Sequence, residues 1–97
     1  MVVGVAVCEL HLPSSRSLKD KRRVVKSLIE RIFQRFRASV AETGFHDLLQ
    51  RAEISVAIVG RDDSEVEGIL DSIRGLCDQE GEAFLTLWEP QLLELAR

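Results

Sequence analysis

Val2-Val3-Gly4-Val5-Ala6-Val7-Cys8-Glu9-Leu10-His11-Leu12, then the break Pro13-Ser14-Ser15, then Arg16-Ser17-Leu18-Lys19-Asp20-Lys21-Arg22-Arg23-Val24-Val25-Lys26-Ser27-Leu28: this opening decides the fold. Its first part alternates with a period of two, with Val2, Gly4, Ala6, Cys8, Leu10 and Leu12 on one face and Val3, Val5, Val7, Glu9 and His11 on the other. Successive side chains of an extended strand point to opposite faces, so apolar groups on both mark a strand placed centrally in a sheet. After the proline break, Ser17 and Asp20 have the spacing of a capping box. Leu18, Val25, Leu28, Ile29, Ile32, Phe33 and Phe36 then recur at helical spacing to about Arg37. A buried strand running into an amphipathic helix is the first half of a β-α-β unit.

The rest of the chain supplies a second half. Ala38 to Thr43, rich in small residues and closed by Gly44, reads as an edge strand, and residues 45–50 form a connection without regular pattern. Ala52, Ile54, Val56 and Ile58 alternate with Glu53, Ser55, Ala57 and Val59 in a strand that stops at Gly60. Asp62, Asp63 or Ser64 caps a second helix with the inward stripe Val66, Ile69, Leu70, Ile73, Leu76 and Cys77, ended by Gly81. Ala83, Leu85 and Leu87 alternate with Phe84, Thr86 and Trp88 in a last strand before Pro90, leaving residues 91–97 as a short amphipathic tail. Two such halves with right-handed crossovers predict an α+β, ferredoxin-like βαββαβ domain: a four-stranded antiparallel sheet with two helices on one face. Strands one and three are expected side by side and parallel. The chain of 97 residues, 45% hydrophobic and 30% charged, suits one such domain over residues 1–97.

Several function classes lose ground on composition. The apolar opening has no basic leader and meets Glu9 and His11 well before the roughly 18 residues a membrane span needs, so a cytoplasmic protein is expected. Cys8 and Cys77 lie far apart without metal-binding spacing and read as buried hydrophobes. His11 with Glu9, and His46 beside Asp47, are too few groups for a metal site and lack triad geometry. The glycines match no nucleotide-binding loop. No catalytic residue, metal or cofactor is nominated, and a non-enzymatic binding protein is expected.

Charge is more informative than these absences. From Arg16 to Arg37 there are nine basic residues against two acids, a local balance of +7, while the remainder carries four basic and fourteen acidic residues, −10, for the net −3. Helix N-termini favour acids, yet Arg16, Lys19, Lys21, Arg22 and Arg23 crowd this one against Asp20 alone. With Ser17 at the cap and Lys26 and Arg37 further along, they are the candidate anion- or RNA-binding residues. Lys19, Arg23, Lys26 and Arg37 are expected on one stripe of the helix. The competing reading is a solvated face balanced by Asp62, Asp63, Glu65, Glu67 and Asp71 of the second helix. Phe33 and Phe36 are assigned to the core, leaving no aromatic in the basic block to stack on bases.

The sheet offers a second candidate. Helices cover one face only, so Val3, Val5 and Val7, with Trp88 of the last strand, are expected on the open face as a homodimer interface. The alternative is that Leu92, Leu93 and Leu95 of the tail fold over it.

Beyond these physical readings, Val3-Gly4-Val5, Glu9-Leu10-His11-Leu12-Pro13, the block Arg16 to Leu28, Val40-Ala41-Glu42 and Asp47-Leu48-Leu49-Gln50-Arg51-Ala52 together resemble the YlxP-like family of small bacterial proteins. The likeness covers nearly the whole chain, with Arg16 to Leu28 its specific part, and departs at Gly44-Phe45-His46, where a more polar connection is expected. It implies a ferredoxin-like fold and no established activity. Genes of the family lie near translation-initiation and ribosome-maturation genes in some bacteria, which implies RNA or the ribosome as partner by association.

Overall fold

The opening alternation becomes a ten-residue strand, β1 (Val2–His11), in the computed structural model, which describes residues 1–96. It is followed by α1 (Leu18–Phe36), β2 (Ser39–Gly44), β3 (Arg51–Gly60), α2 (Asp63–Asp78) and β4 (Phe84–Glu94). The sheet order is β2-β3-β1-β4 with every neighbouring pair antiparallel, the ferredoxin-like arrangement. β1 and β3 are neighbours as expected but run antiparallel, Val2 opposite Gly60 and His11 opposite Arg51. The reason is topological: α1 returns the chain past one vacant strand position to β2, and the β2–β3 turn reverses it into that position beside β1.

One face of this sheet is the core. Val2, Ala6, Cys8 and Leu10 of β1 and Ala52, Ile54, Val56 and Ile58 of β3 are buried in one cluster with Val24, Val25, Leu28 and Ile32 of α1 and Val66, Leu70, Ile73 and Cys77 of α2. Gly4 lets α2 approach closely, since a Cβ there would lie 2.3 Å from the Val66 Cγ1 atom. The Cys8 and Cys77 thiols meet in this core, and hydrogen bonding to Cys77, then burial, pushes the Cys8 thiol far up in pKa. Both helices start where capping residues allow. Ser17 Oγ accepts the Asp20 N–H at 3.0 Å while the Asp20 carboxylate accepts the Arg16 N–H at 3.1 Å, and Asp62, the first of its three candidates, accepts the Glu65 N–H at 2.9 Å.

Departures from the sequence reading concentrate in β4. The strand does not stop before Pro90 but runs to Glu94 as an edge strand, where a residue without an N–H is tolerated. Its inner ladder shifts between Leu85, opposite Leu10, and Leu87, opposite Glu9, so Thr86 is an extra residue and the alternation changes parity there. Trp88 therefore falls opposite Cys8 and packs against the core beneath the helices, not on the open sheet face. Leu92 also turns inward, so the expected tail is sheet and does not fold over the open face.

Lys21 is the second departure. It is 2% exposed, with Nζ donating to the Phe45 carbonyl at 2.5 Å and lying 3.2 Å from Glu42 Oε2 of β2. That Glu42 oxygen is buried and makes no hydrogen bond, so the charge of Lys21 is its compensation. Phe45 sits at φ 59° in the left-handed region, which turns its carbonyl to Lys21 and sets its ring 4.0 Å from the Arg51 guanidinium. Residues 45–50 are thus a structured turn tied to α1.

Removing one partner of a largely buried ion pair leaves the other uncompensated, so Lys21→Met is expected to lower unfolding free energy by about 3 kcal/mol, at the lower end because Glu42 is partly solvated. Urea denaturation of Lys21→Met, Glu42→Leu and the double variant checks this. The double variant should recover most of the loss, and additive losses would contradict the pairing.

Candidate nucleic-acid interface

α1 lies over the sheet with Lys21, Val24, Val25, Leu28 and Ile32 buried, which determines what its outer side presents. At 3.6 residues per turn, Lys19, Arg22, Lys26 and Phe33 fall in a sector roughly 60° wide on the outer side, spanning about 21 Å along the helix. All four are exposed, and Arg37 follows at the C-cap with its N–H donating to the Phe33 carbonyl at 2.8 Å. Phe33 is 60% exposed, contrary to its assignment to the core stripe; Phe36 packs against the core as expected. Phe33 lies one residue past Ile32, a turn of 100° that carries it beyond the edge of the buried sector. Helical spacing alone groups the two; only the angle separates them.

The predicted cations divide into two sets. Lys21 is internal and belongs to the ion pair with Glu42, so it is removed from the binding set. Arg23 leaves the proposed stripe as well: its guanidinium grips the Glu82 carboxylate through two hydrogen bonds of 3.0 and 2.8 Å. The hydrogen bond to Arg23 holds the Glu82 carboxyl below its ordinary pKa. Arg31 pairs with Glu80 in the same α2–β4 connection. Among the described residues, the side chains of Arg16, Lys19, Arg22, Lys26 and Arg37 make no ion pair or hydrogen bond.

The acids of α2 do not balance this face. Asp62 caps its own helix, Glu65 pairs with Arg61, and the α1 cations that are paired reach Glu42, Glu80 and Glu82. The N-terminus of α1 is not open for a phosphate either. Ser17 takes the Asp20 N–H of the first turn, the Asp20 carboxylate takes the Arg16 N–H just before the cap, and the adjoining cavity of about 120 Å³ is lined by Asp20 and Glu82 beside Arg23. Two carboxylates at that spot oppose an anion, so the basic character lies along the helix and not at its end.

The opposite side of the sheet is the second surface. Val3, Val5 and Val7 are half-buried and face outward, between Val59, Ala57 and Ser55 of β3 and Leu93, Gln91 and Glu89 of β4. A shallow hollow of about 280 Å³ runs along Val5, Val7, Ser39, Ala41, Ser55 and Ala57. Thr43 bonds Glu53 and Ser55 at one side of it, and Arg51 pairs with Glu9 at 3.3 Å. His11 Nδ1 sits 3.2 Å from the Gln50 carbonyl, so Glu9 and His11 each have a separate partner. Among the described residues no group of three His, Cys, Asp or Glu side chains is placed to hold a metal, and no helix is long and apolar enough to cross a membrane.

Comparison with known proteins agrees with the family resemblance. The chain is 31% identical over 77 residues to the uncharacterized protein YlxP of Bacillus subtilis (strain 168), covering 79% of this chain and 84% of that protein. Among solved structures it is loosely similar to a dimeric ferredoxin-like protein from an uncultured marine organism, at 8% identity and TM-score 0.49 with 100% of both chains covered. A second, Rv0793 from Mycobacterium tuberculosis, has 18% identity and TM-score 0.43 over 97% of this chain and 96% of that one. Residues 3–89 match the family described as protein of unknown function (DUF503), and the chain belongs to that family.

Proposed function

We propose that this protein is a non-enzymatic RNA-binding protein that holds the RNA backbone along the outer face of α1. The observation that carries the reading is the set Lys19, Arg22 and Lys26, exposed in one sector of α1, with the exposed Arg37 at its C-cap, none of them in an ion pair among the described residues of a chain whose remainder is strongly acidic. The acids that reach α1 from other elements bind Lys21, Arg23 and Arg31, and Glu30, exposed one turn after Lys26, is the one acid of the helix on this outer side, so three cations and Arg37 outweigh a single carboxylate there. A line of cations on a rigid helix matches the regular phosphates of a nucleic acid and reads charge, not sequence.

Binding of a short single-stranded RNA followed by fluorescence anisotropy should weaken with salt at a slope of about −3 in log K against log salt, roughly −0.7 for each of four phosphates. Arg22→Glu with Lys26→Glu should abolish it while circular dichroism and melting stay as in the parent. Binding that ignores salt, or that survives the double reversal, would contradict the proposal.

The open sheet face favours a second reading, a homodimer, because β4 ends as an edge strand and leaves Val3, Val5, Val7 and the 47% exposed Leu93 uncovered. The helix face stays free in such a dimer, so the two readings are compatible. Light scattering should give twice the chain mass at micromolar concentration and the single mass for Val5→Asp. A parent protein that scatters as a monomer removes the dimer.

A further inference from the structure

Phe33 is the anomaly within the basic face. An aromatic ring 60% exposed on a helix loses the hydrophobic gain of burial, and here it stands on the basic face, with Arg37 one turn on, the exposed Glu30 one turn back and Lys26 two turns back. Among the described residues no cation covers it: Arg35 lies over Phe36, at 5.3 Å from the ring centroid, and Arg51 over Phe45. The ring is therefore presented bare, between charges that have no partner among the described residues.

We propose that Phe33 is a stacking platform for an unpaired base, so that the ligand of α1 is single-stranded RNA and not a duplex. The inference rests on the RNA-binding reading above and adds a ligand class to it. A duplex keeps its bases stacked on one another and offers cations only phosphates and sugars, which leaves a bare phenyl ring facing water. A single strand can place a base on the ring while Lys26 and Arg37, on either side along the helix, take the neighbouring phosphates. A single ring has no donor or acceptor to read base edges, so the preference is for strandedness rather than sequence. An anionic membrane is the less suitable partner, because the remaining apolar stripe of α1 is turned into the core and Phe33 alone offers little area to embed.

The test compares oligouridylate with an RNA duplex of equal length at low salt, in the parent, Phe33→Ala, Phe33→Trp and the Arg22→Glu, Lys26→Glu double variant. Phe33→Ala should weaken oligouridylate binding about tenfold and leave the salt slope and the duplex affinity unchanged, with Phe33→Trp retaining parent affinity. The charge reversal should weaken both RNAs. Equal loss of single strand and duplex in Phe33→Ala, or no loss at all, overturns the stacking role while leaving the charged face standing. Failure of the parent to bind either RNA overturns the RNA-binding reading and this inference with it, and binding only to anionic lipid vesicles does the same in favour of a membrane. The ring is exposed, so its truncation leaves the core packing intact.

Discussion

Pairing of β1 along both of its edges is the constraint from which the rest of the architecture follows. All ten of its residues have a partner on β3, and the same ten have partners on β4. A strand so held has no freedom of register: a slip of one residue would exchange Val2, Ala6, Cys8 and Leu10 with Val3, Val5, Val7 and Glu9, placing a carboxylate in the core. Both helices must then cover the face that carries Ala6, Cys8 and Leu10. β2 and β4 become edges, and the Val3, Val5, Val7 face is left without a layer of its own.

The charge distribution is a consequence of that covering. α1 turns Val24, Val25, Leu28 and Ile32 downward, so whatever follows at the intervening angles must face solvent. Lys21 is turned inward with that stripe and pairs with Glu42, and of the outward cations the fold uses two, Arg23 against Glu82 and Arg31 against Glu80. The latter two are surface pairs and add little to stability; their effect is to occupy acids that would otherwise be near the helix. Lys19, Arg22, Lys26 and Arg37 are left on the outer side, and Phe33 stands with them.

Much of this was legible in the residues themselves. The period of two in residues 2–12 and 52–59, the Ser17 and Asp20 spacing, and the Val66, Leu70, Ile73, Cys77 stripe each report a local rule that tertiary packing left undisturbed. Trp88 was misplaced because a single extra residue, Thr86, reverses the parity of everything after it, and nothing in Phe84 to Trp88 distinguishes a bulge from a regular strand. Pro90 was read as a stop because an edge strand and a central strand look alike until the sheet order is known. Lys21 looked like one more member of a basic run. Its burial depends on a carboxylate 21 positions away on β2 and on a carbonyl turned inward by the φ of Phe45, neither of which is a local signal. The apolar identity of Phe33 groups it with the core stripe, while its angle, 100° past Ile32, places it outside.

The central claim is that the outer face of α1 is where RNA is held. Backbone amide chemical shifts followed by NMR during titration with single-stranded RNA at low salt test it most directly. The account predicts that the amides of Lys19, Arg22, Lys26, Phe33 and Arg37 move together with saturation while those of Val3, Val5 and Val7 on the far side of the sheet stay in place. Shifts confined to the sheet face or the 45–50 turn, with α1 unmoved, would contradict it.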